Sequence, residues 1–77
     1  MISVCVGTIM VFRVDGSFKS NDEMISNMYV KLKIQKLKEL GYELSTDQII
    51  DRVYCLRHYS IMFDTEEEAA LFKLTHL

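Results

Sequence analysis

Along the first fourteen residues, apolar side chains fall on both parities of the chain: Ile2, Val4, Val6, Met10, Phe12 and Val14 on one, Cys5, Ile9 and Val11 on the other. A strand with two apolar faces belongs inside a sheet or under a partner, because a half-exposed strand would alternate with polar residues. The pattern predicts a long first strand, with Gly7 marking a bulge. Asp15-Gly16 carries a hairpin signal, since both residues tolerate the positive φ of a type I′ turn, and a short return strand over Ser17 to Lys19 is expected.

The period then changes. Ser20 or Asn21 can cap a helix whose first turn holds Asp22 and Glu23, favourable charges at the positive end of the helix dipole, and Gly41 supplies the stop. Ile25, Met28, Tyr29 and Leu32 form one apolar stripe on this helix, and Val30, Ile34 and Leu37 form a second, rotated well away from the first. One helix turns a single stripe to its own sheet, so these seven residues are the candidate interface, with one stripe or the other left facing outward. Met28, Val30, Leu32 and Ile34 also alternate with Tyr29, Lys31, Lys33 and Gln35 as an edge strand would; the caps and the length favour helix.

Ser45 and Gln48 have capping-box spacing, which predicts a short helix from Thr46 to about Val53 that buries Ile49, Ile50 and Val53. Tyr54 to Phe63, rich in aromatic and β-branched residues, reads as a second long strand. Asp64 with Glu67, or Thr65 with Glu68, repeats the capping-box spacing. A last helix is therefore expected from about Thr65, with Ala70, Leu71, Leu74 and Leu77 as its inner stripe. The order β-(β)-α-α-β-α predicts one compact α+β domain over residues 1–77, a two- or three-stranded sheet with helices on one face.

Size and composition narrow the function. At 77 residues and 9.0 kDa there is room for one core, with a folded surface of roughly 4,900 Å² and about 63% of the unfolded chain's surface buried. Hydrophobic residues make up 49% of the chain, and nine Lys and Arg against eleven Asp and Glu leave a net charge of −2, which argues against disorder and against a nucleic-acid charge footprint. So apolar a chain with so small a core and so few strands is expected to form a symmetric dimer, through the first strand or the long helix. Two cysteines are too few for a disulfide scaffold, so the expected setting is the cytoplasm, with Cys5 and Cys55 buried and reduced. No apolar run reaches the roughly 18–20 residues of a membrane span, and the opening run lacks a cationic flank, so neither a membrane partner nor a signal peptide is expected.

Candidate chemistry is sparse. Gly7, Gly16 and Gly41 lie too far apart for a phosphate loop. Cys55-x-x-His58 is the one close pair of zinc-ligand types, but residues three apart on a strand point to opposite faces. His58 and Ser60 share a strand face at about 6.5–7 Å backbone spacing, too far for a direct base and nucleophile pair. The acidic run Asp64, Glu66, Glu67 and Glu68 is explained as a helix start, and Lys31, Lys33, Lys36 and Lys38 spread around their helix as a solvated surface. No catalytic, cofactor-binding or metal-ligating residue is assigned, and a non-enzymatic protein-binding module is expected.

Two resemblances add to this. Arg57-His58-Tyr59-Ser60-Ile61-Met62-Phe63 followed by Asp64-Thr65-Glu66-Glu67-Glu68-Ala69 resembles the third strand and second helix of an RNA-recognition motif, a family that stacks bases on aromatics along its central strands. The resemblance implies an RNA-binding regulator with Arg57 and Tyr59 as RNA contacts. Ile61 stands where the second aromatic would be, His58 replaces a glycine, and Val4-Cys5-Val6 offers no aromatic on the first strand, so this is the alternative reading. The final segment, Phe63-Asp64-Thr65-Glu66-Glu67-Glu68-Ala69-Ala70-Leu71-Phe72-Lys73-Leu74, resembles the C-termini of small early proteins of tailed bacteriophages. That resemblance implies an interaction protein that binds or inhibits a bacterial host factor in the host cytoplasm.

Overall fold

In the computed structural model, which describes residues 1–77, the apolar opening run is a single twelve-residue strand, β1 (Ile2–Arg13). Its register against its neighbour slips twice, between Cys5 and Gly7 and between Met10 and Phe12. The first bulge lies at Gly7, where a helix approaches so closely that a Cβ would stand 2.7 Å from Val30 Cγ1. The expected return strand over Ser17 to Lys19 does not form. Asp15 Oδ1 accepts hydrogen bonds from the Ser17 amide (2.9 Å) and hydroxyl (2.6 Å), and Gly16 alone takes positive φ, at 80°. A type I′ hairpin needs two such residues; the aspartate's local bonds instead turn the chain away from β1.

Helix α1 (Asn21–Glu39) opens with a full capping box. The Ser20 hydroxyl accepts from the Glu23 amide (3.2 Å), and the Glu23 carboxylate accepts from the Ser20 amide (3.2 Å). Residues 28–35 are helical throughout, and Gly41 ends the helix at φ 96°.

Strand β2 (Ser45–Asp51) replaces the short helix expected from Thr46 to Val53. It pairs antiparallel with β3 (Tyr54–Phe63) through a two-residue turn in which Arg52 takes the left-handed conformation, φ 57°. Gln48 shows why the capping-box spacing misled: its side-chain amide reaches Cys55 Sγ on the next strand (3.3 Å), and its carbonyl oxygen accepts from Arg57 (3.4 Å). Ile49, Ile50 and Val53, expected to be buried, are exposed because neither helix extends over this outer strand.

Helix α2 (Glu66–His76) starts where expected, with the Thr65 hydroxyl accepting from the Glu68 amide (3.2 Å). Its inner side is Ala69 and Phe72, not Ala70, Leu71, Leu74 and Leu77, which are exposed. Phe72 sets this rotation: its ring packs against Phe63 (5.2 Å), Tyr42 (5.1 Å) and His76 (4.9 Å), a cluster that a leucine face could not make.

The order is thus β-α-β-β-α, an α+β architecture with a three-stranded antiparallel sheet arranged β1-β3-β2. β1, α1 and β2 form a split βαβ unit with β3 inserted between its strands, the ferredoxin-like order without a last strand beside β1. One core joins the layers: Val4, Val6 and Ile61 from the sheet, Ile34 and Leu37 from α1, Ala69 and Phe72 from α2. The molecule is elongated, 42 × 21 × 17 Å, and exposes 5694 Å², about 800 Å² more than the scaling law gives for this mass.

Candidate interaction surface

The two stripes of α1 meet opposite fates. Ile34 and Leu37 are 5% and 3% exposed, and Val30 is half-buried against Gly7; these three belong to the core and are withdrawn from the candidate interface. Ile25, Met28, Tyr29 and Leu32 are 49%, 62%, 70% and 65% exposed. At 3.6 residues per turn their mean direction lies about 170° from that of the buried side, so they point straight away from the sheet. Met24 extends this apolar strip toward the helix start, and Phe18 in the preceding loop stands in solvent beside it.

Sequence reasoning could not choose between the stripes, and Asn27 decides the matter. It is the one buried polar residue, on the inward side of α1, and its side-chain amide donates to the Met10 carbonyl (2.7 Å) and accepts from the Met10 amide (2.9 Å). Those two bonds clamp the first half of α1 to the outer edge of β1, and the inward face of the second half follows. A second clamp is ionic. Arg13 donates to Glu23 at the helix start and lies over the Tyr54 ring at 5.4 Å. The Arg13 hydrogen bond holds the Glu23 carboxyl below the usual carboxylate range, and Glu23 in turn raises the Arg13 guanidinium. Asp15 is lowered by its bonds from Ser17.

The sheet face opposite the core carries the polar candidates. Alternation along β3 puts Tyr54, Leu56, His58, Ser60 and Met62 there, while Cys55, Arg57, Tyr59, Ile61 and Phe63 share the helix side. Arg57 and Tyr59 therefore lie on the side of the buried Ile61, and Tyr59 packs against the core; the open face presents neither of the suggested RNA contacts. The phase of the RNA-recognition resemblance is one residue out. His58 and Ser60 share the open face, but the bond His58 makes is between Nδ1 and Thr8 Oγ1 (2.7 Å) on β1, a pairing across fifty residues that no local spacing signals. Cys55 and His58 are on opposite faces, as their spacing requires. Cys55 is buried, whereas Cys5, expected to be buried, is exposed on the open face because no helix covers it.

The lysines of α1 and the acidic residues 64 and 66–68 remain charge of opposite sign at separate places on the surface, with Lys33 half-buried. Nowhere do three or more His, Cys, Asp or Glu side chains converge. No helix is long and apolar enough to cross a membrane. Compared with protein-family models, curated proteins and solved structures, the chain matches none.

Proposed function

We propose that this protein is a non-enzymatic protein-binding module that docks its partner on the outward stripe of α1, Ile25, Met28, Tyr29 and Leu32, and that it acts as a homodimer in the cytoplasm. One observation carries the proposal: a helix whose opposite side already fills the core leaves a stripe of four large apolar residues exposed, three of them by more than half. Such patches on small proteins are covered by partners, and aromatic and methionine side chains suit an adaptable contact. Lys31 and Lys36 flank the stripe and favour an acidic rim on the partner. With the resemblance of residues 63–74 to phage early proteins, the proposed partner is a bacterial host factor, bound or inhibited by occlusion.

Capture from a bacterial lysate tests this, with both proteins and RNA identified in the eluate. A defined protein should be retained by the wild type and released by Met28→Glu with Leu32→Glu. RNA recovered without a protein partner would refute the proposal and favour an RNA-binding regulator instead.

A further inference from the structure

β1 is the longest and most apolar strand of the sheet, yet it lies at an edge. Long edge strands invite pairing and are normally blunted by lysine, proline, charge or a covering element. Here the cover is one side chain. Asn27 makes both hydrogen bonds to Met10 that a neighbouring strand would make. From Ile2 to Thr8 there is no charged residue and no proline, and the sole side-chain bond to that stretch of backbone is from Cys5 Sγ to the Gly7 carbonyl, at 3.8 Å. The other edge is different: β2 carries Asp47 and Asp51, so two copies meeting there would oppose like charges.

We propose that a second copy of this chain pairs antiparallel over Val4–Val6, about a two-fold axis beside Cys5, joining two three-stranded sheets into one of six strands. Cys5 is the midpoint of the unblocked segment, and pairing centred there ends short of Met10, where Asn27 occupies the edge. In this register Val4 on the core side lies opposite the second copy's Val6, and the exposed Cys5 lies opposite its own counterpart on the open face, so the faces match at the centre of the pair; the bulge at Gly7 ends the match beyond Val4 and Val6. The contact uses no residue of the α1 stripe, so it stands apart from the proposed docking surface and leaves two copies of that stripe on the same side of the joined sheet.

Sedimentation equilibrium over about 1 to 100 µM separates the two surfaces. The wild type should be a dimer, Cys5→Lys, which sets two ammonium groups opposite each other, should be a monomer, and Met28→Glu with Leu32→Glu should remain a dimer. A monomeric wild type at the upper concentration, or a dimeric Cys5→Lys, overturns the inference; a monomeric stripe variant moves the contact to α1 and overturns it too. A second measurement needs no disruptive substitution. In Cys55→Ser, diamide should take one hydrogen from each Cys5 thiol and leave an interchain disulfide, at a rate unchanged by tenfold dilution within the dimeric range. A rate that falls in proportion to dilution marks random collision and overturns the proposal.

Discussion

The two sides of α1 are nearly equal in apolar content and opposite in environment. Val30, Ile34 and Leu37 lie against β1 and the core, while Ile25, Met28, Tyr29 and Leu32 face solvent. Hydrophobicity alone therefore did not decide which side went in; a polar residue did, by bonding the strand edge through Asn27. The lesson is that apolar surface beyond what one small core can absorb stays visible as surface, and its place is set by whichever side chain anchors the helix.

The largest expected effect comes from the inward side. Leu37→Ala should cost about 2–5 kcal/mol in urea unfolding, because the site is closed on all sides and cannot collapse. Leu32→Ala, about a turn and a half away on the outward side, should change stability by no more than about 0.5 kcal/mol. Equal losses would mean that the outward stripe is covered within the monomer.

Next is the anchor itself. Asn27→Ala removes both bonds to Met10 and leaves a buried side of the strand edge without its partner, so a loss of about 1–3 kcal/mol is expected. Hydrogen exchange at the Met10 amide should accelerate along with it. A neutral substitution with unchanged exchange would transfer the anchoring role to the packing of Val30 and Ile34.

Gly7→Ala probes how closely the inward side approaches. Its Cβ meets Val30 Cγ1 at 2.7 Å, so the helix or the Val30 rotamer must shift, at an expected cost of about 1–3 kcal/mol. Adding Val30→Ala should return part of that loss in a double-mutant cycle, and strict additivity would place the strain elsewhere.

The smallest effect is the acid response of the helix start. Glu23 and Asp15 have lowered folded-state values, so their contribution is present above the ordinary carboxylate range and is lost as pH falls through and below about 4. Glu23→Gln should flatten the acid limb of the stability profile between about pH 5 and 2 relative to wild type. An unchanged limb would assign acid sensitivity to other carboxylates. Both partners of the Arg13 and Glu23 pair are partly exposed, so the effect should weaken in high salt.

Residues whose signals are local were legible in the sequence. The Ser20 and Glu23 capping box, the Thr65 cap, the Gly41 stop and the β-branched runs of β1 and β3 depend on neighbours within a few positions, and they name the α+β class with its helices and two long strands. β2 was not legible because Ser45 and Gln48 satisfy a helix-start pattern while their pairing partners lie across a turn, at Ser60 and Arg57. The rotation of α2 depended on Phe72 finding Phe63 and Tyr42, a contact between three separate elements. For the candidate site, both stripes of α1 were visible from helical spacing, but the choice between them rested on the paired bonds between Asn27 and the Met10 backbone across seventeen residues. The exposure of Cys5 followed from the absence of a helix on one side of the sheet, which no property of an apolar strand can signal.

Retention of the proposed partner by Met28→Glu with Leu32→Glu, compared with wild type at matched thermal stability, bears most directly on the role of the outward stripe. The expected result is an unchanged unfolding midpoint with at least a tenfold loss of affinity, about 1.4 kcal/mol or more. Undiminished retention by the folded variant would contradict a docking role for that side of α1.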